Sequence, residues 1–377
     1  MKAKFKNYLA FPLLLIITMF FFWIWPSGNA SITGNNDDAE MMMGEISEIV
    51  DENGEMQTLA VKINKGSFKD KTITIENDDT MLVESRIFDV GDKVMVAYSK
   101  MTYGLENFYI AEYDRTATIY WLFGLFILVV LLVASWQGIG SIIGMFFSFL
   151  VLFKFVLPRI LEGADPLGTA ILGSMIIIPA TFYSSHGFER KTTVAVVGTV
   201  LTLIITGFLA TFFANWGHLS GLASEEASFL KLDTAQNINF KGLVLAGMII
   251  SILGILDDIT ISQASVIQQL KNVKEKISFT ELFSRAMKVG HDHIASMVNT
   301  LILVYTGASL PLLLLFMDRS KQFSEVMNYE FLSEEIIRTL VGSIGLILAV
   351  PITTLLAAIV LSKSSSKEKH HHHHHHH

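Results

Sequence analysis

The stretch GLVLAGMIISILGILDDITISQASVIQQL, residues 242–270, decides the fold class. It is apolar over a length that crosses a lipid bilayer, except for the adjacent acids Asp257 and Asp258 in its middle. Ionisable residues at membrane depth are costly and usually have a function. The stretch therefore predicts a membrane-spanning helix and places the first candidate site on it.

The composition of the whole chain agrees with a membrane protein. Hydrophobic residues make up 51% of the chain and charged residues 17%, whereas soluble domains carry about 25% charged residues. The apolar residues are gathered into runs of about the length that a transmembrane helix needs. These runs predict an α-helical polytopic membrane protein with about eight spans, at residues 9–25, 119–136, 140–157, 167–183, 193–214, 242–265, 292–316 and 337–361.

The distribution of charge predicts the orientation of these spans. Lysine and arginine collect at residues 189–191, 271–288 and 363–369, while the loops between these segments are richer in acids. Positive loops stay in the cytoplasm, so we expect both termini of a multi-pass membrane protein to be cytoplasmic. The net charge of −7 gives no indication of a nucleic-acid partner.

Two features of composition narrow the chemistry. The chain contains no cysteine, which excludes disulfides, thiol catalysis and cysteine-ligated metal clusters. The run His370–His377 is typical of a purification tag and is set aside. No nucleotide-binding loop, nucleophile elbow or zinc-protease motif occurs, so an enzyme is the less favoured class and no catalytic residue is expected.

The segment between the first two spans predicts a small β domain. Short runs of alternating polar and apolar residues are separated by turn residues such as Gly54, Gly66 and Gly91. They predict an exported all-β, OB-like domain of five strands. Such barrels bind ligands in some proteins and only brace or dock in others, so we expect a docking surface for a protein partner. The runs lie at residues 44–51, 57–64, 71–77, 92–99 and 107–114.

Four parts follow from these boundaries. Residues 1–25 are expected to be an N-terminal transmembrane anchor, and residues 26–117 the exported β domain. Residues 118–363 are expected to be a seven-helix membrane domain, followed by a cytoplasmic tail with the tag at 364–377. The lipid bilayer is the first partner that this organisation implies, and an oligomer is compatible with it.

The polar residues around the acid pair repeat at helical spacing. Asp258, Ser262 and Ser265 fall on one face of a helix, and Asp257, Thr260 and Gln263 follow its flank at intervals of three. The helix is therefore expected to turn a polar stripe toward other helices and to bind a proton or a cation there. The alternative is that the acids lie close to the inner membrane surface and serve only topology or packing.

A second polar group opens the seventh predicted span, in GHDHIASMVNTLILVYTGASLP. His291 and His293 point to opposite sides of a helix, so they are weak metal candidates together with Asp292. A proton relay or interfacial packing are the other interpretations. Asn299 and Thr300 continue into the span, and we expect Asn299 to lie beside the two carboxylates inside the bundle.

The connection between these two spans, VKEKISFTELFSRAMKVG, is basic and amphipathic. Ser278 and Glu281 have the spacing of a capping box, which predicts a helix start. The apolar stripe of this segment predicts that it lies along the inner membrane surface, against headgroups or against the bundle.

The motifs SEEAS, LGILDDITISQAS and GHDHIASMVNTLILVYTGASLPLLLLF, behind a single span and an exported segment ending in YIAEYDR, resemble the YibE/F-like family of bacterial membrane proteins. The resemblance covers nearly the whole chain and implies a location in the bacterial inner membrane, but it implies little chemistry. The membrane part also resembles, more distantly, the SecDF and RND transporter module, in which intramembrane acids couple proton movement to external work. That resemblance implies coupling acids at Asp257 and Asp258 and accessory polar positions at Asn299 and Thr300. The chain departs from it in having no large exported domain and no evident internal duplication.

Three functions remain open on the sequence. The first is a secondary transporter or permease coupled to protons or cations, with a bound proton or cation as the candidate cofactor. The second is a SecDF-like factor for protein export or assembly that works through the exported domain. The third is an intramembrane metal-dependent enzyme. The residues expected to take part in coupling are Asp257, Asp258, Thr260, Ser262, Gln263, His293, Asn299 and Thr300.

Overall fold

A computed structural model describes residues 40–53, 56–77, 87–100, 106–233, 238–274, 276–315 and 322–363. The chain separates into two compact units, with the boundary between Leu132 and Val133. The predicted first span at residues 9–25 lies outside the described residues.

The first unit contains a five-stranded antiparallel sheet. Its strand order is β3-β2-β1-β4-β5, and β3 also approaches β5, so the sheet is curled. Each of the five predicted strand runs falls on one of these strands, which confirms the antiparallel β prediction. The strands are β1 (Glu40–Asn53), β2 (Met56–Lys65), β3 (Thr72–Asn77), β4 (Lys93–Lys100) and β5 (Glu106–Tyr113).

Alternation along the strands explains the core of this sheet, because every second side chain points inward. Nine apolar side chains form the buried cluster: Met42, Ile46, Leu59, Val61, Ile63, Ile75, Phe88, Val94 and Val96. The buried Gln57 is the exception. Its amide donates to the Phe88 carbonyl at 3.2 Å and accepts from the Phe88 N–H at 2.8 Å. Gln57 therefore ties β2 to the segment that precedes β4.

The rest of the described chain is helical. Six helical stretches are long and apolar enough to cross a membrane: Thr116–Ser135, Gly138–Leu161, Pro166–His186, Arg190–Trp216, Phe240–Val273 and Glu330–Leu361. The helices are α1 (Thr116–Val151), a π-helical turn (Leu152–Val156), α2 (Leu157–Leu161), α3 (Pro166–His186), α4 (Arg190–Trp216), α5 (Glu225–Asp233), α6 (Phe240–Val273), α7 (Phe279–Ala308), α8 (Leu310–Leu315), α9 (Phe323–Val326) and α10 (Glu330–Lys363).

The second and third predicted spans lie within α1 and the turn after it. The backbone is non-helical at Ser135, with φ 53° and ψ −131°, so two consecutive helical stretches meet there. This break falls at the end of the predicted span 119–136. The stretch Thr116–Ser135 buries none of its most apolar window, as expected for a helix that is hydrophobic all round and faces lipid.

The seventh predicted span differs from the structure. We expected an amphipathic connector and then a span from residue 292, but α7 is one helix from Phe279 to Ala308. Ser278 caps it by accepting the Glu281 N–H at 3.2 Å, as the capping-box pattern predicted. The sequence has no proline between residues 279 and 310 to break this helix, and Pro311 follows in the first turn of α8. Its polar first half keeps α7 outside the six candidate spans of the described chain.

Three helices form the centre of the second unit. α4, α6 and α10 pack against one another, α3 packs on α6, and α7 packs on α10 and α6. Small residues allow the closest approach: a Cβ added at Gly198 would lie 2.6 Å from the Thr353 hydroxyl, and one at Gly345 would lie 2.4 Å from the Thr206 hydroxyl. Such contacts between small residues and hydroxyls are typical of helix packing in membranes.

The basic amphipathic start of α7 also packs on this bundle. Leu282 and Ala286 are buried in an apolar cluster with Ile267 of α6 and Ala357 and Leu361 of α10. Of the two predicted settings for this segment, contact with the helical bundle is therefore observed.

Candidate functional site

The polar line predicted on the flank of α6 faces the interior of the bundle. Thr260 is fully buried and Gln263 is 2% exposed, while Asp257, one turn before Thr260, is half-buried. An α-helix has about 3.6 residues per turn, so side chains spaced three residues apart point in gradually different directions around the helix. Each of the three side chains therefore meets a different neighbouring helix.

Asp257 meets α3. The Thr181 hydroxyl lies 3.3 Å from its Oδ2 atom. The Oδ1 atom is buried and has no hydrogen-bond partner among the described residues. Buried polar atoms nearly always have a partner, so this oxygen is the feature of Asp257 that calls for a functional explanation.

The single hydroxyl hydrogen of Thr181 limits the hydrogen bonds that Asp257 can form. The Thr181 hydroxyl has three acceptors within reach: Asp257 Oδ2 at 3.3 Å and the carbonyls of Ile177 and Ile178 at 3.1 Å each. A hydroxyl has one hydrogen, so it serves one acceptor well. If Asp257 is ionised, it competes with the α3 backbone for that hydrogen. If Asp257 carries a proton, it can donate to Thr181, and the hydroxyl can donate to its own helix.

Thr260 meets α4. Its hydroxyl and that of Thr199 lie 2.7 Å apart, and both side chains are fully buried. Each hydroxyl is also 2.9 Å from a carbonyl four residues earlier, at Ala195 for Thr199 and at Leu256 for Thr260. One hydroxyl can thus donate across the interface while the other donates to its own backbone, and the direction can reverse.

Gln263 meets α7 and α10. Its amide nitrogen donates to the Ala286 carbonyl at 3.0 Å and to the Thr354 hydroxyl at 2.8 Å. Gly290 lies beside the same amide, since a Cβ there would be 3.1 Å from Nε2. Gln263 is therefore the point at which three helices are held together, and it fixes the register of α7 against α6.

Asp258 occupies a different side of α6. Its side chain is exposed, whereas Ser262 and Ser265 on the same face are half-buried. The Asp258 charge acts on His186 at the end of α3, as do the charges of Lys191 and Glu189 at the start of α4. The expectation that both carboxylates point into the bundle therefore holds for Asp257 and is wrong for Asp258.

The polar residues of α7 are not gathered around the acids. Asn299 and Thr300 are exposed, and Thr300 donates to the Ser296 carbonyl of its own helix at 3.0 Å. The expectation that Asn299 lies inside the bundle is wrong, because the buried face of α7 carries Leu282, Ala286, Gly290 and Leu301 instead.

The metal candidates occupy the exposed part of the same helix. His291 and Asp292 are exposed and His293 is half-buried. Within the part of the chain that the structure describes, no three His, Asp or Glu side chains converge as a metal site. The weak metal hypothesis for His291, Asp292 and His293 thus has no geometric support there.

Several partners of the α6 line were not singled out from the sequence. Thr181, Thr199 and Thr354 come from three other helices, and the half-buried Tyr305 on α7 contacts the main apolar cluster. One signal was available. Thr192, Thr199, Thr202 and Thr206 recur at helical spacing inside the apolar run of α4, and all four are fully buried. Polar residues at that spacing indicate a buried polar stripe.

Comparison with known proteins gives the family but no chemistry. Neither a curated protein nor a solved structure matches the chain significantly. The sequence profile of the YibE/F-like proteins matches residues 122–363, which contain the α6 acids, their helix partners and all of α7. The match covers more than half of the chain, and the chain belongs to the YibE/F-like family.

Proposed function

We propose that the protein is a secondary transporter or permease in which a proton or cation bound at Asp257 and Asp258 is coupled to the movement of a substrate. One observation supports this proposal above the others. Asp257 lies midway along a 34-residue apolar helix, and one of its carboxylate oxygens is buried without a partner. Intramembrane acids of this kind mark ion and proton pathways.

The coupling step follows from the hydrogen count at Thr181. A protonated Asp257 donates to Thr181 and leaves the α3 backbone satisfied, whereas an ionised Asp257 draws the only hydroxyl hydrogen away from it. Protonation thus changes the bonding between α3 and α6. Thr199, Thr260 and Gln263 extend the same polar line toward α4, α7 and α10, and carry this change to the other helices.

Asp258 has the complementary role in this proposal. Because its side chain is exposed, it can exchange a proton or cation with the surroundings. Asp257 is next to it in the chain but faces α3, so a proton passed from Asp258 to Asp257 moves from the open side of α6 to the closed side. Ser262, His293, Asn299 and Thr300 remain accessory candidates that lie away from this transfer.

The remaining sequence expectations complete the proposal. Both termini lie in the cytoplasm of a bacterial cell, the protein spans the inner membrane, and the curled sheet is an exported OB-like barrel that docks a partner protein. The strand order β3-β2-β1-β4-β5 with β3 close to β5 supports a barrel of this kind. The sheet also exposes Met41, Ile87 and Val90, which suits a docking surface.

The test measures protonation directly and needs no substrate. Infrared difference spectra of the purified protein in lipid, taken across a pH titration, report the protonated-carboxyl band. We expect Asp257→Asn to remove a component of this band and to lower the proton uptake of the lipid-embedded protein on acidification by about one proton per molecule, because Asn keeps the shape but does not titrate.

Glu226→Gln, on the exposed part of α5, is the matched control: it removes its own carboxyl from the band but should leave the component assigned to Asp257 unchanged. Intact spectra and wild-type proton uptake in Asp257→Asn would refute the coupling role. Loss of both signals in Asp257→Asn, with Asp258→Asn changing only the rate of uptake, would support the division between the two acids.

A further inference from the structure

After its break at Ser135, α1 packs against the end of α3 through two glycines. Gly140 and Gly144 are both buried and lie about one helical turn apart on the same face. A Cβ added at Gly140 would lie 2.2 Å from the carbonyl oxygen of Ser184, and one at Gly144 would lie 3.1 Å from the Ser184 hydroxyl. The backbones of the two helices therefore approach closely, as they do at glycine contacts between membrane helices.

Thr181 of α3 contacts both α1 and Asp257. A Cβ added at Gly144 would lie 3.3 Å from the Thr181 Cα and 3.4 Å from its Cγ2 methyl group. The hydroxyl, which is the other branch of the same side chain, lies 3.3 Å from Oδ2 of Asp257. Both branches are attached to one Cβ, so the position of the methyl group determines the position of the hydroxyl.

The χ1 rotamer of Thr181 is therefore the link between α1 and the acid. Threonine in a helix divides between two χ1 rotamers, because its hydroxyl can bond a carbonyl three or four residues earlier. Thr181 has the rotamer that places the hydroxyl 3.1 Å from the carbonyls of Ile177 and Ile178 and also within reach of Asp257. In the other rotamer the hydroxyl leaves this position, and the contact with Asp257 is lost.

The turn of α3 after Thr181 is also contacted by α1. The Ser184 hydroxyl donates to the Thr181 carbonyl at 2.9 Å, and the hydroxyls of Ser185 and Ser141 lie 3.4 Å apart across the two helices. Gly140 meets backbone atoms of this turn, and backbone atoms cannot move aside as the end of a flexible side chain can. The surface of α1 therefore determines the space that is available to the Thr181 side chain.

We propose that Gly140 and Gly144 are positioning residues for Asp257: they hold α1 against α3 so that Thr181 keeps the rotamer that brings its hydroxyl to the carboxyl group. The inference rests on the proposed function and adds α1 to the helices that act on the site. The contact of 3.3 Å between Thr181 and Asp257 is longer than the usual 2.5–3.0 Å of an O–H···O bond, so a small displacement breaks it.

The main variant is Gly140→Ala. Its Cβ would lie 2.2 Å from a carbonyl oxygen, so α1 must move away from α3 by roughly 1 Å or more to restore ordinary contact. The matched control is Gly247→Ala on α6, where an added Cβ meets no atom within 4 Å among the described residues. Infrared difference spectra across a pH titration give the frequency of the Asp257 carboxyl component, which is identified by its loss in Asp257→Asn.

A protonated carboxyl group absorbs at a higher frequency when it loses a hydrogen bond, because the bond polarises the group. We expect Gly140→Ala to shift the Asp257 component to a higher frequency, in the direction that Thr181→Val produces, while Gly247→Ala leaves it in place. Circular dichroism and gel filtration in detergent establish that each variant is folded. If Gly140→Ala does not fold, Gly144→Ala is measured instead, and its Cβ should give a smaller shift in the same direction by crowding the Thr181 methyl group.

The double variant Gly140→Ala with Thr181→Val separates positioning from a general loosening of the helices. Its Asp257 component should have the frequency found in Thr181→Val alone, because the hydroxyl through which the glycine acts is already absent. A further shift in the double variant overturns the proposal, since α1 then affects Asp257 without Thr181.

The same spectra distinguish the failure of this proposal from the failure of the proposed function. If Asp257→Asn leaves the carboxyl band intact, the proposed function itself has failed. If Asp257→Asn removes the component but folded Gly140→Ala has the frequency of the Gly247→Ala control, the glycines of α1 serve packing alone and only their positioning role is refuted.

Discussion

The two units of this protein bury polar groups in different ways. The sheet surrounds nine apolar side chains and buries one polar side chain, Gln57, among its described residues. The helical unit buries eleven polar side chains within its described helices. Because burying a polar group is unfavourable unless it is hydrogen-bonded, the two interiors have different energetics and different uses.

The difference lies in how completely these groups are bonded. Gln57 donates to and accepts from a single residue, Phe88, so both ends of its amide are satisfied. In the bundle, the hydroxyls of Thr192 and Thr353 and the Oδ1 atom of Asp257 lack partners among the described residues. A saturated polar group braces a structure, whereas unsaturated groups inside an apolar bundle are candidate positions for a proton, an ion or water. This contrast agrees with our proposal that the chemistry lies in the helical unit and that the sheet docks a partner.

We expect the largest loss of stability where a glycine of one helix packs directly against a threonine hydroxyl of the next. At Gly345 an added Cβ would lie 2.4 Å from the Thr206 hydroxyl, so Gly345→Leu should force α4 and α10 apart. We expect a loss of about 3 kcal/mol or more, at the upper end of the range for overpacked interiors. Thermal unfolding of the purified protein in detergent measures it.

Gly307→Leu on α7 is the control for that change. A Cβ at Gly307 meets no atom within 4 Å, so this substitution should leave the unfolding temperature nearly unchanged. Equal effects at the two positions would show that the contact between α4 and α10 does not limit stability.

Much of the fold follows from sequence periodicity. Five alternating runs predicted five strands, because the period of two is set by the strand geometry itself. Six apolar runs predicted the six helical stretches that can span a membrane, because the required length is set by the bilayer. The start of α7 at Ser278 was also predicted, since a capping box is a local pattern.

The site was predicted only in part, because burial depends on neighbours. The spacing showed two polar lines on α6, through Asp257 and through Asp258, but not which of them faces the bundle. Packing with α3, α4, α7 and α10 buried Thr260 and Gln263, left Asp257 half-buried against α3, and left Asp258 exposed. The same limit applies to Asn299, since an amphipathic pattern on α7 does not show which partner covers each face. The partners Thr181 and Thr354 depend on contacts between helices that are distant in the chain.

Two buried glutamines, one in each unit, test the comparison, and we expect losses of stability of intermediate size from replacing them. Gln57→Leu leaves the buried N–H and C=O of Phe88 without partners, so we expect it to destabilise the sheet by about 2–4 kcal/mol. Gln263→Leu removes two donated hydrogen bonds, but the Thr354 hydroxyl still donates to the Val350 carbonyl at 2.6 Å. Hydrogen bonds between membrane helices are worth roughly 0.6 kcal/mol each, so we expect a loss of about 1 kcal/mol.

Hydrogen exchange measured by mass spectrometry tests both glutamines on the intact protein. Protection should fall in the strands for Gln57→Leu and at the contact of α6 with α7 for Gln263→Leu. A larger loss at Gln263 than at Gln57 would mean that the polar line of the bundle carries its stability as well as its chemistry, and would weaken the distinction between the two units.

The smallest effect concerns a surface acid of the sheet. Glu40 accepts hydrogen bonds from the Ser67 hydroxyl, which lies 2.7 Å from both carboxylate oxygens, and from the Ser67 N–H at 2.9 Å. These bonds favour the ionised carboxylate and hold the pKa of Glu40 below its usual 4.5, and the hydroxyl has the larger effect. A lowered pKa in the folded state adds stability above the unfolded pKa, and that stability is lost as the pH falls through the folded pKa.

Ser67→Ala should therefore raise the Glu40 pKa part of the way toward 4.5 and weaken the sheet slightly at neutral pH, but less in acid. Carboxyl NMR titration measures the shift. The control is Ser47→Ala. The Ser47 hydroxyl donates to the Ala60 carbonyl, so its removal should leave the Glu40 pKa unchanged. An unaltered Glu40 pKa in Ser67→Ala would show that this exposed hydrogen bond contributes nothing, and that polar groups of the sheet matter only where they are buried.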